Sequence, residues 1–417
     1  MSEHVASAIR AIGLISLSKA HFSPVVQREA LKAYSVAVRR LSDKLNSPFA
    51  TEDDTLLVAL LLDRYDAIAG TETCDSQHYE TTAHLTGAIA IFKAKGLLQF
   101  QSRLGRRLFR HMASRNLVNS AKVGQMISSD IIALHTFMSR NVKKEERPAW
   151  IMSSIVSRMV NLNVKLRSGN FRGPHEIVAW ALQLDQELEN LLHNMPENFS
   201  FDVQYIGKTE FPASGGRCEI HKDFRIALIW NLIRANRILL NEMAYAQTLE
   251  MDRPGLDTEK NILEFRSVAA RSMDAINEMA LEICATVPQQ AGFLRPWFES
   301  RLGMVSTLHT TTESSSLIDI HTRALSLGPG NPASNVLQFQ GSAYSLIWPL
   351  YVIGRCPGTP FHGFIQWVIE NLKFIGNTFG ISQSLTLAQS LQKKDTLPVW
   401  SAYDFLGSYS RLPEEND

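Results

Sequence analysis

Apolar positions along the chain recur at helical spacing and almost nowhere alternate. Residues 51–96 carry the strongest signal. The run TLLVALLL, opened by Glu52, Asp53 and Asp54, begins with carboxylates suited to orphan amides and to the positive end of a helix dipole. Leu56, Leu57, Leu60 and Leu61 cover two faces while Val58, Ala59 and Leu62 fill much of the rest, so this helix is expected to be enclosed on most sides and to organise the fold. A second helix, HLTGAIAIFKAKG, stops at Lys93, Lys95 and Gly96.

The same period predicts helices over residues 2–17, from Pro24 to Leu45, 100–114, 126–139, from Trp150 to Leu166, and from Pro174 to Leu191. Further helices are expected over 222–249, over 261–287 with a stop at Pro288, and over 342–353, 361–375 and 382–391, before a polar tail. LVNSAKVG, from Leu117, reads as a polar separator. Residues 198–218 read as an ordered surface excursion, and Leu325 to Asn335 as a flexible loop dense in turn residues. No apolar–polar alternation extends over six or more positions and no fixed-period repeat is visible, so the fold class is all-α: an irregular array of about a dozen or more helices in one large domain, 1–417.

Composition narrows the function classes. Lys plus Arg total 42 against 41 Asp plus Glu, which gives no net pull toward nucleic acid or an anionic membrane. The densest basic stretches, RLGRRLFR from Arg103 and KKEER from Lys143, read as solvated faces or loops. No apolar run reaches the roughly 18 residues of a membrane span. Cys74, Cys218, Cys284 and Cys356 form no close pair, which argues against a local zinc site or a disulfide framework and for reduced thiols in the nucleus or cytoplasm.

Candidate chemistry is sparse, with no phosphate-binding glycine loop, no HExxH and no GxSxG. Asp63 and Asp66, three residues apart on one helical face, have the spacing of carboxylates that hold Mg²⁺ against a diphosphate. Asn231, Arg234 and Arg237 share a face and suit either an anion or a packing hydrogen-bond cluster, the commoner outcome. His84, on an apolar helix, reads as a satisfied core histidine.

A family resemblance is spread over much of the chain. In order, EALKAYSVAVRRLSDKL, EDDTLLVALLLDRYD, HLTGAIAIFKAKG, LDQELENLLHNMPENF, IALIWNLIRANRILL, LEICATVP, IWPLYVIG and IENLKFIGNTFGISQSL resemble the effector, or middle-homology, region of fungal dizinc-cluster (Zn₂Cys₆) transcription factors. The resemblance implies an all-helical regulatory region in proteins that dimerise and control transcription, often of metabolic gene clusters. Such factors read DNA through six closely spaced cysteines, and the four scattered cysteines here do not make that cluster. A regulator with protein partners or a homodimeric state, no cofactor and no DNA reader of its own is therefore expected. The alternative is a helical scaffold repurposed as a Mg²⁺-dependent sesquiterpene cyclase acting on farnesyl diphosphate. Asp63 and Asp66 would then hold the metal, Arg234, Arg237 and Lys260 the diphosphate, while Trp230, Trp348 and Tyr351 would face carbocations.

Overall fold

The computed structural model describes residues 2–21, 23–69, 83–169, 171, 173–205, 215–251, 259–292 and 332–406, with side chains undescribed at 19, 20, 67, 251, 259–262 and 332–340. Fourteen α-helices and one two-stranded antiparallel sheet account for most of these residues, so the chain is all-α in architecture. Where the sequence suggests one domain, the contacts divide into two compact units, 1–138 and 139–417.

Unit 1 starts with α1 (Glu3–His21) and α2 (Pro24–Leu45), which pack along each other. The start of α2 follows from its sequence: Ser23 Oγ accepts the Val26 amide hydrogen at 3.4 Å, and Pro24 needs no amide partner at this position. Then come α3 (Asp53–Ala69), α4 (Ala83–Lys95), a 3₁₀ turn (Gly96–Gln101), α5 (Arg103–Val123) and most of α6 (Ser129–Asn141). α3 packs on α1, α2, α4 and α5, and Leu56, Val58, Ala59, Leu60 and Leu62 are all buried. The expectation of an enclosed helix is met, within unit 1. Its first residue also locks two later elements, since the Asp53 carboxylate accepts from Lys95 Nζ and, at 2.7 Å, from Ser102 Oγ, the cap of α5.

α5 differs from expectation. It runs through LVNSAKV without a break, because Val118, Ser120 and Ala121 continue the buried stripe of Leu108, Phe109 and Met112. It ends at Gly124, whose φ of 75° is the left-handed cap.

Unit 2 contains α7 (Arg147–Arg167), α8 (Pro174–His193), β1 (Phe201–Tyr205), β2 (Arg217–His221), α9 (Phe224–Met251), α10 (Glu259–Gln290), α11 (Pro332–Arg355), α12 (Phe364–Phe379), α13 (Ser382–Lys393) and α14 (Val399–Phe405). α9 is the centre, touching α7, α8, α10, α11 and β2. Its sequence, like that of α3, is apolar on most sides. α10 passes Pro288 and closes two residues later, which is tolerable because only the final turn loses a hydrogen bond. β1 and β2 occupy the ends of the expected surface excursion. Of the expected loop at 325–335, residues 325–331 lie outside the described residues and 332–335 open α11. The polar tail contains a further helix, α14, with Val399, Trp400, Ala402 and Tyr403 buried.

Candidate functional site

The charged candidates fall into buried or half-buried clusters, around Asp63 and Asp66 in unit 1 and around Arg234 and Arg237 in unit 2. In unit 1 the Asp63 side chain is 1% exposed and its Oδ2 accepts from Arg115 Nε at 3.0 Å, which ties α3 to α5. One turn on, Asp66 is half-buried and faces α2 and α4: its Oδ2 lies 3.8 Å from His84 Nε2, which in turn is 2.8 Å from the Tyr34 hydroxyl. Tyr34 stacks on Tyr65 with ring centroids 4.4 Å apart. Burial pushes the Asp66 carboxyl above the ordinary aspartate range, with the Asp63 charge adding to the rise and His84 and Tyr34 opposing it. The two aspartates feel each other's charge but have different partners: Asp63 is held by an arginine, and Asp66 by an aromatic–histidine pair.

In unit 2, Arg234 and Arg237 sit three residues apart on α9 and fan out to different elements. Arg234, 1% exposed, makes a two-pronged contact with Glu219 of β2, Nη1 to Oε2 and Nη2 to Oε1, both at 2.9 Å. Its Nε donates to Glu282 of α10 at 2.8 Å, and its Nη1 also reaches Asn231 Oδ1 at 3.3 Å. Arg237 donates from Nε to Asp185 of α8 at 2.7 Å and from Nη2 to Glu189 at 3.0 Å. Burial alone would lower the Arg237 guanidinium, but Asp185 and Glu189 outweigh it and raise it above its usual value. Burial likewise pushes Glu219 up, and Arg234 with His221 more than reverses this, so its carboxyl stays below the ordinary glutamate range. Two arginines thus meet four carboxylates from three neighbouring elements. Five fixed donors in a planar fork suit arginine to such a role.

The aromatic candidates are equally committed. Trp230 Nε1 donates to the Phe199 carbonyl at 2.9 Å, and its ring lies under the Arg234 guanidinium, 5.3 Å away. Trp348 is 1% exposed, donates to the Val399 carbonyl at 3.2 Å and packs edge-on against Tyr403. Tyr351 gives its hydroxyl hydrogen to the Leu397 carbonyl at 2.8 Å, and burial raises its phenol. Lys260 falls on α10, and its side chain lies outside the described residues.

No family model matches this chain, nor does any curated protein or solved structure. The structure gives Arg234 and Arg237, neighbours on α9, separate sets of carboxylate partners, and it places Asp63 and Asp66 in unit 1 and all the arginine and aromatic candidates in unit 2. Among the described residues no group of three or more His, Cys, Asp or Glu is placed to hold a metal ion, and no helix is long and apolar enough to cross a membrane. Cys218, Cys284 and Cys356 are buried; Cys74 lies outside the described residues.

Sequence reasoning missed the partners rather than the arginines. Glu219 is 15 residues from Arg234 and Asp185 is 52 from Arg237, distances no helical spacing encodes.

Proposed function

We propose that this chain is a regulatory helical domain of the transcription-factor effector type, working through protein contacts and serving a metabolic gene set, in the nucleus or the cytoplasm. The observation that supports it most is the commitment of the buried charges. Arg234, Arg237, Asp63 and their partners each join one helix to another element and are satisfied in doing so. This is what a scaffold needs from buried ions; a diphosphate or metal site needs groups left open to the ligand.

Surface composition agrees with a role in protein contact. Val25, Leu31 and Val36 on the basic helix α2 are 60%, 57% and 41% exposed and offer apolar contact points to a partner. The cyclase reading has no comparable observation in its favour, because Asp63, Arg234, Arg237, Trp348 and Tyr351 would all have to leave present partners to act.

The reading is tested by deleting the gene in its source organism and profiling transcripts. Transcripts of a linked set of metabolic genes should fall and return on complementation. Unchanged transcripts alongside a missing metabolite would place the chain in the pathway's chemistry and end the regulatory reading.

A further inference from the structure

Among the described residues the two strands of unit 2 have one edge that no other strand occupies, and a glutamine reveals which backbone groups face it. His221 gives its N–H to Gln289 Oε1 at 2.9 Å, and the His221 carbonyl accepts from Gln289 Nε2 at 2.8 Å. In an antiparallel strand the N–H and C=O of one residue point to the same side, and successive residues alternate. His221, Glu219 and Arg217 therefore turn their backbone groups away from β1. Ile220 and Cys218 carry the ladder, opposite Asp202 and Gln204. On β1 the complementary set, Phe201, Val203 and Tyr205, directs its backbone groups outward, along an edge that no described strand occupies.

Side chains on this edge are open and apolar at its outer end, with Val203 40% and Tyr205 78% exposed. Phe201 is anchored, tilted against His221 and edge-on to Trp230. The sequence FDVQY contains no proline and no lysine, and its register with β2 is unbroken by a bulge; of the devices that block edge pairing it carries a short length and the single charge of Asp202.

We propose that β1 pairs antiparallel with β1 of a second copy of this chain, centred on Val203, to give a four-stranded sheet in the order β2-β1-β1-β2. This inference goes beyond the regulatory reading and does not depend on it. The register argues for a second copy over a foreign peptide. With Val203 facing its own mate, Phe201 faces Tyr205 at each end and Asp202, the one charge in the strand, faces the Gln204 amide. No carboxylate meets a carboxylate, and an aromatic pair closes both ends. A twofold contact requires such self-complementarity. Five residues a side make a contact well below standard interface size, so the pairing is reversible and follows concentration.

Sedimentation velocity on the full chain, with amide hydrogen exchange at rising concentration, tests this. The dimer fraction should rise while exchange at Val203 and Tyr205 slows. Val203→Pro removes the central edge donor and Tyr205→Lys places a charge at the end, and the β2 ladder runs through neither residue. Each should weaken dimerisation at least about tenfold, with circular dichroism unchanged. A monomer at every concentration overturns the proposal. So does a dimer indifferent to Tyr205→Lys, or edge amides already protected in the monomer, which would mean that the chain itself or another peptide covers the strand.

Discussion

Asp63 shows how far a residue can be read in advance. Its place on the α3 face was legible, but its partner Arg115 lies 52 residues on, brought there by α5 packing on α3. Arg234 and Arg237 were better placed by sequence, since three-residue spacing on an apolar helix already favours a buried hydrogen-bond cluster. His135 carries a sharper consequence. It is fully enclosed, packs against Phe109, and burial depresses its imidazole to about 4. The unfolded chain takes up this proton near 6.5 and the folded chain does not, so stability is complete above pH 6.5 and is lost as pH falls toward 4. The loss is on the order of 3 kcal/mol at 1.36 kcal/mol per pH unit. Urea unfolding of His135→Gln across that range should show a visibly flatter slope than wild type; an equal slope would deny His135 the role. Asp66 has the opposite sign. Its raised carboxyl makes the folded state gain stability as pH falls through the folded value, and Asp66→Asn should remove that gain.

At the scale of elements, α3, α4 and α9 were legible because their apolar character exceeds what one exposed face allows. Where the elements depart from the sequence pattern the cause is shared: packing overrides local polarity and proline. Asn119 and Lys122 within α5 and Pro288 within α10 look like breaks, but the surrounding stripe is buried and tertiary contact holds the helix. β1 does alternate, Phe-Asp-Val-Gln-Tyr, over five residues, one short of a convincing run, and the pairing that makes it a strand comes from β2 and Gln289. Gln289→Ala should therefore cost about 1–3 kcal/mol by leaving both backbone groups of His221 unpaired, with faster exchange at that amide. Gly105 makes a second case. A Cβ there would stand 2.0 Å from the Gln99 carbonyl oxygen, so Gly105→Ala should destabilise unit 1 by about 1–3 kcal/mol, visible as a lower urea midpoint.

For the molecule as a whole, the fold class was plain from periodicity, while the division at residue 138 was not. SRNVKKEER reads as any charged loop, and only the contacts reveal that α3 organises one unit and α9 another. The regulatory reading rests on one physical claim: that the buried charges around α9 hold the fold together and are not kept in readiness for a ligand. Removing one member of a satisfied buried ion pair strands the others, whereas removing a charge reserved for function is commonly neutral or stabilising. Urea unfolding of Arg234→Met in the full chain separates these outcomes. The account predicts a loss of about 3–5 kcal/mol, because Glu219 would remain buried without its main partner. A variant as stable as wild type, or more so, would contradict it.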